Sequence, residues 1–486
     1  MRRRAAASWS RFRLRARPDS RARELAPLTA MDLFASALDQ AAAVRRREVS
    51  STELTRAYLE RIERFNPKLN AFVLRTPELA LEQAKAADEA NIGYPLRGVP
   101  TSVKDLVSLA GYPLTFGSKA FEDYTLPIDF FPVARLKEEG CPILGKTNLS
   151  EFGTRPTTEH GLFGATHNPW SLDHSPGGSS GGAAAAVAAG LCAFAHGTDG
   201  GGSVRIPSSC CGTVGLKPSR GRISAGPLLG EHWAGLSTDG AIARTVADAA
   251  AGLDAMAGHL PGDAYWSDVD GRFADAATPT DRKLRIGFTV RAGVKVEDDI
   301  AKCVRDVARL LEGLGHRVTE GGPDTEPFRT PMQLIVVAGL GSLPIADEGK
   351  LEPFNALGLA LAKQLSAVDY VRSVDAIRMH SRVVVGFWDT HDVLVTPTLP
   401  RTVPLLNTLG ADLASAGDEY MDFVSFTFPY NCTGQPAISL PLGVDSAGLP
   451  IGVQLVGPPR GEALILGLAA QLEQARPWSG RRPRLN

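Results

Sequence analysis

Three consecutive glycines, Gly200-Gly201-Gly202, stand directly before Ser203 in the run Gly197-Thr198-Asp199-Gly200-Gly201-Gly202-Ser203-Val204-Arg205-Ile206-Pro207, and they constrain the local backbone more than any other stretch of the chain. Without Cβ atoms, the backbone there can turn several N–H groups onto one point beside a hydroxyl. An acyl-transfer enzyme needs that arrangement to hold an oxyanion next to its nucleophile, and one such donor contributes about 3 to 4 kcal/mol of transition-state stabilisation. A flexible linker would also be glycine-rich, but the flanks Ala193-Phe194-Ala195 and Val204-Arg205-Ile206-Pro207 are apolar or structured.

Composition excludes several classes of function. A chain of 486 residues that is 44% hydrophobic can bury a large core, as one big α/β domain or two to three ordinary ones. Its 52 basic and 53 acidic residues leave a formal charge of -1, with no long-range field to hold a nucleic acid. Cys141, Cys192, Cys210, Cys211, Cys303 and Cys432 are too sparse for a disulfide scaffold and contain no C-x-x-C pair, so the expected setting is a reducing cytoplasm. The longest apolar run, Ala183 to Ala195, is interrupted by Gly190 and too short to cross a bilayer, so no membrane partner is expected. Residues 1–30 carry nine arginines against Asp19 and Glu24 and stand apart from the fold. They read as an organellar transit peptide or as a stretch upstream of the true start; the second is favoured because Met31 lies just before the first foldable segment.

Beyond that extension the chain alternates helices and strands. Ser50-Ser51-Thr52-Glu53 is a capping box, and Leu54, Tyr58, Leu59, Ile62 and Phe65 follow at helical spacing until Asn66-Pro67, where the helix is expected to end. Gly98 to Val107 contains a short buried strand, Phe130 to Gly140 a helix, and Pro142 to Gly145 a strand. Further strands are expected at Leu284 to Thr289, Val393 to Thr396, Ala437 to Leu442 and Ile451 to Val456, with a helix from Gly461 to Gln474. The alternation predicts an α/β fold: a mixed, mostly buried central sheet covered by helices on both faces. Residues 31–486 are read as a single domain in which 258–389, richer in charge and lacking a glycine motif, is an insertion that shapes a substrate pocket.

Lys104 lies in the Ser102 to Leu106 segment. In an extended chain its side chain points away from Val103 and Asp105, so Asp105 cannot neutralise it directly. A buried lysine without a carboxylate has a depressed pKa, and acting as a base near neutrality requires a fall from about 10.4 to roughly 7 to 8, a cost of about 4 kcal/mol. Taken alone, Lys104 also reads as a strand-end lysine reaching solvent. Likewise Ser179 and Ser180 in Pro176-Gly177-Gly178-Ser179-Ser180-Gly181-Gly182, before the alanine-rich Ala183 to Ala189, read as a helix N-cap. An α/β-hydrolase nucleophile elbow would need an apolar strand before the serine, whereas His167 to His174 is a turn-rich loop. His160, His167 and His174 recur every seven residues, but Gly161, Gly164 and Pro169 forbid the helix that would align them on a metal.

Taken together, Lys104, GGSSGG, GTDGGGSVRIP and the trailing Cys210-Cys211-Gly212-Thr213-Val214-Gly215-Leu216-Lys217-Pro218-Ser219-Arg220-Gly221-Arg222 resemble the amidase signature family, from about Asp32 to Trp478. Asn431-Cys432-Thr433-Gly434-Gln435-Pro436-Ala437 and Gly448 to Gln454 resemble further family patterns. The resemblance implies the amidase signature fold and a Ser-Ser-Lys triad without metal or organic cofactor. Ser203 would be the nucleophile, Ser179 the bridging serine after a cis bond from Gly178, and Lys104 the terminal base. Gly200, Gly201, Gly202 and Ser203 would supply the oxyanion hole, Thr198 would orient the serines, and Asp199 and Arg205 would be structural partners. Gly200, where family members frequently have threonine, and the doubled Cys210-Cys211 are more similar to the branch that includes the 6-aminohexanoate cyclic dimer hydrolases than to the amidotransferase glutaminases. The implied function is hydrolysis of a small linear or cyclic carboxamide through an acyl-enzyme, with the amide as the partner and a homodimer left open. The alternatives are a glutamine-hydrolysing subunit of an aminoacyl-tRNA amidotransferase and a catalytically silent scaffold of the same fold.

Overall fold

In a computed structural model that describes residues 32–90, 93–159, 162–268 and 271–485, the apolar strand segments assemble into one sheet. Among the described residues it has eleven strands: β1 (Phe72–Arg75), β2 (Thr101–Lys104), β3 (Ile143–Thr147), β4 (Phe194–Asp199), β5 (Val214–Lys217), β6 (Thr238–Ala243), β7 (Arg285–Phe288), β8 (Arg317–Glu320), β9 (Val393–Pro397), β10 (Ala437–Val444) and β11 (Pro450–Val456). Their order is β1-β3-β2-β4-β6-β5-β10-β11-β9-β7-β8. Parallel pairs (β2 with β3 and β4, β7 with β8 and β9) alternate with antiparallel ones, so the sheet is mixed. β2 to β5, β9 and β11 are buried along their whole length, as a sheet covered on both faces requires. The extension 1–30 lies outside the described residues.

The expected strands appear with edges shifted by a residue or two, and Phe131–Glu139 and Glu462–Ala475 are the expected helices. One boundary differs. The Ser51–Leu69 helix begins at the capping box but runs through Pro67 and ends at Asn70, which adopts the left-handed conformation. Pro67 sits in the last turn, where its fixed φ is helical and only one backbone bond is lost. Asn66 compensates by accepting from the amides of Ala71 and Phe72 and donating to Phe72 O. The 258–389 stretch contributes β7 and β8 to the sheet, followed by the Arg329–Gly341, Pro353–Ala362 and Ala367–Val385 helices.

The Gly181–Ala188 helix is buried at every position. Its alanines and glycines let it lie close to the sheet, and its N-terminus is entered through Ser179 and Ser180. β4 runs into the glycine run, and the Arg205–Cys211 helix leaves from it. Lys104 is the last residue of β2, the neighbour of β4. The topology therefore brings the three chemically suggestive segments to one end of adjacent strands.

Candidate active site

Lys104 is fully buried, and its Nζ lies 2.7 Å from both Ser179 Oγ and Thr198 Oγ1. Burial pulls the amine down to about 7, against the opposing pull of the Asp199 and Asp239 carboxylates. As the alternation of side chains requires, Asp105 points elsewhere and forms a buried ion pair with Lys146. The backbone amide of Lys104 donates to His196 Nδ1 at 3.3 Å, and His196 Nε2 faces Asp239 Oδ1 at 2.6 Å, which tethers the strand end. A low pKa alone does not mark a base: burial and the nearby Arg205 bring Lys217 to about 7 as well, yet its Nζ donates to Pro218 O at 2.8 Å.

Ser203 lines a cavity of about 550 Å³ together with Gly153, Gly201, Trp233, Met332 and Phe428. Ser180 N–H donates to Ser203 O at 3.2 Å, joining the two serine segments, and the Gly178–Ser179 peptide is cis. Among the described residues no hydrogen bond links the Ser179 and Ser203 hydroxyls; Ser179 Oγ is turned to Lys104, while Ser203 faces the cavity. Thus Lys104, Ser179 and Thr198 are joined directly, and Ser203 is joined to them through the backbone.

The shape of the glycine run is imposed by Asp199. Its carboxylate accepts from the amides of Gly202 at 2.8 Å and Val204 at 3.1 Å, from Arg205 Nε at 3.0 Å and from Asn431 Nδ2 at 2.9 Å. Burial alone would raise its pKa, but Arg205, Lys217 and Asn431 overcome that and hold it at about 2. Asp199 and Arg205 are thus the structural partners expected of them. Gly202 departs from expectation: its amide is committed to Asp199 rather than directed at a ligand. Its φ of 130° and the approach of Ile206 Cδ1, which a Cβ would meet at 2.7 Å, make it a glycine for conformational reasons.

Residues unread in the sequence complete the support. Thr427 Oγ1 donates to Gly201 O at 2.7 Å, and Asn431 Nδ2 donates to Asp199 O at 2.7 Å. Arg205 NH1 donates to Gln454 Oε1 at 2.7 Å. Asn431 and Gln454 fall inside motifs that the sequence shows, whereas Thr427 and Trp233 carry no signal of their own. Of the three spaced histidines, His167 bonds Leu172 O and His174 faces Ser171, while His160 lies outside the described residues. Among the described residues no three His, Cys, Asp or Glu side chains are grouped to hold a metal, and no helix is long and apolar enough to span a membrane.

Comparison with known proteins places the chain in a family. The family model described as Amidase matches residues 53–466. The 6-aminohexanoate-cyclic-dimer hydrolase of Paenarthrobacter ureafaciens is 37% identical over 489 residues, covering 94% of this chain and 98% of that protein. The acylamidase of Rhodococcus erythropolis is 37% identical over 472 residues, covering 92% and 97%. A solved structure of 6-aminohexanoate cyclic dimer hydrolase complexed with substrate superposes with a TM-score of 0.88 at 36% identity, covering 93% of this chain and 99% of that one.

Proposed function

Because this chain belongs to the amidase family, we propose that it hydrolyses the C–N bond of a small, neutral carboxamide using Ser203, Ser179 and Lys104. The observation that carries the reading is the buried Lys104 amine, drawn to about 7 and 2.7 Å from Ser179 Oγ, with no carboxylate in contact among the described residues. In its neutral form the amine takes the Ser179 proton while Ser179 takes that of Ser203, whose Oγ attacks the amide carbonyl. The Ser179–Ser203 hydrogen bond closes as substrate seats, since such contacts tighten in the Michaelis complex. The oxyanion donors are the amides of Gly201 and Ser203, both of which line the cavity, with Gly202 left to Asp199. Thr198 holds Lys104 Nζ on the relay from the other side. Returned along the same path, the proton converts the departing nitrogen to a free amine, and water then cleaves the acyl ester.

The cavity argues for a neutral substrate. Met332, Val336, Leu340, Phe354, Met421 and Phe428 supply apolar walls from the 258–389 stretch and the segment after β9. The charges that line it are matched, Arg155 by Glu352 and Asp418 by Arg329. The α-carboxylate and α-ammonium of glutamine would therefore enter without a free counter-charge, which disfavours the glutaminase alternative. The cysteines are all free and buried, in keeping with work in a reducing cytoplasm. The test is amine or ammonia release from aliphatic amides, anilides, cyclic and linear aminohexanoate oligomers and glutamine, with Ser203→Ala as control. We expect turnover of neutral amides, lost in the control; glutamine cleaved as fast as the best neutral amide, or a control that stays active, would overturn the reading.

A further inference from the structure

Trp233, which lines the cavity, has two glycines against opposite edges of its indole. A methyl at Gly200, in the glycine run, would lie 2.8 Å from indole Cε3 and closer still to Cζ3. One at Gly339, on the Arg329–Gly341 helix, would lie 2.6 Å from indole Nε1 and closer to Cδ1. At either position the three atoms nearest such a methyl all belong to the Trp233 indole, and neither glycine has a φ in the left-handed region. Both glycines therefore exist to admit the indole. Trp233 lines the cavity with Gly201 and Ser203, whereas Gly200 is not among the residues that line it.

The backbone that carries the indole is held in an unusual form. Trp233 and Ala234 have φ of 49° and 53°, and Gly235 follows at 75°. Consecutive left-handed residues, one of them a bulky aromatic, persist only where the surroundings over-determine them. Here Arg378 donates to Ala234 O at 2.6 Å and to Tyr265 Oη at 3.0 Å. Arg220 donates through Nε to Gly235 O and through NH2 to the carbonyl of Asn431, the residue that holds Asp199.

We propose that Trp233 is a specificity-determining residue whose clamped indole, wedged between Gly200 and Gly339, limits the bulk that can flank the scissile amide at Ser203. This rests on the catalytic reading of Ser203 given above. Shrinking the side chain opens the space beside the reacting carbonyl, and enlarging Gly200 displaces the indole into the cavity.

The experiment measures kcat/KM for hexanoyl anilide, for an anilide branched at the acyl α-carbon, and for a hexanamide branched at the amine carbon. In Trp233→Ala the branched-to-unbranched ratio should rise at least about tenfold on one side of the amide; unchanged ratios on both sides would overturn the proposal. Gly200→Ala should lose activity by at least about tenfold and recover it in the double variant with Trp233→Ala, as contacting residues couple. A Gly200→Ala variant that keeps wild-type rates and ratios would also overturn it. Should Trp233→Ala fail to fold, Trp233→Leu takes its place in both comparisons. Fluorophosphonate labelling separates the two readings. An unlabelled wild-type Ser203 with ratios that still move sinks the nucleophile assignment alone; a labelled Ser203 with fixed ratios sinks the Trp233 assignment alone.

Discussion

A lysine amine sealed at a strand end, with two hydroxyls at 2.7 Å and, among the described residues, no carboxylate in contact, destabilises the fold whenever it is charged. Its folded pKa near 7 lies below the free-chain value of about 10.4, so the unfolded chain binds the extra proton between those limits. Stability from this group therefore rises with pH from about 7 to about 10, and below about 7 the full penalty applies. Lys104→Met should consequently raise unfolding stability at about pH 6 by about 2 to 4 kcal/mol while removing turnover; a less stable variant by urea denaturation would contradict the buried, uncompensated amine. Lys104, Ser179, Ser203 and Thr198 were legible in sequence because each sits in or beside a glycine-bounded motif with few other uses. Trp233, His196 and Asp239 were not, since their parts arise from contacts with segments that no local pattern announces. The commitment of the Gly202 amide was hidden for a related reason: three glycines in a row look alike until a carboxylate selects one.

Secondary-structure elements were readable where local chemistry sufficed and misread where pairing decided. The capping box placed the start of Ser51–Leu69 correctly, with Ser50 Oγ accepting from Glu53 N at 3.0 Å and Glu53 Oε2 accepting from Ser50 N at 2.8 Å. Ser50→Ala should cost about 1 kcal/mol in urea denaturation without altering kcat; no loss would mean the cap is redundant. The end of the same helix was missed because Asn66 and Asn70 repair what Pro67 removes. β1 and β8 are four-residue edge strands, and β5 (VGLK) and β6 (TDGAIA) each carry a glycine and a charged residue that weaken the strand signal, so their strand character comes from neighbours across the sheet. The segment after β9 acts on the glycine run through one hydroxyl. Thr427→Val keeps the shape but deletes the bond to Gly201 O, and should lower kcat about tenfold with KM little changed; an unaltered kcat would remove Thr427 from the account.

At the scale of the whole molecule, the alternating pattern was enough for the α/β class and the motifs for the family, while the order of the eleven described strands followed from neither. Residues 33–486 form one compact unit in which the proposed catalytic segments come from the first half of the chain and most apolar cavity walls from the second. The 258–389 stretch illustrates the limit of composition: its charge marked it as different, yet β7 and β8 from the same stretch extend the central sheet. What unites the halves is the proposed task of seating a neutral amide against a hydroxyl whose reactivity depends on an amine beneath it. The pH dependence of kcat/KM for an anilide, taken from about pH 5 to pH 9, tests that dependence most directly, because it reports the free enzyme's essential base. The account predicts a rise of about tenfold per pH unit up to an apparent pKa near 7, then a plateau. A flat profile, or the same rise surviving in Lys104→Met, would contradict it.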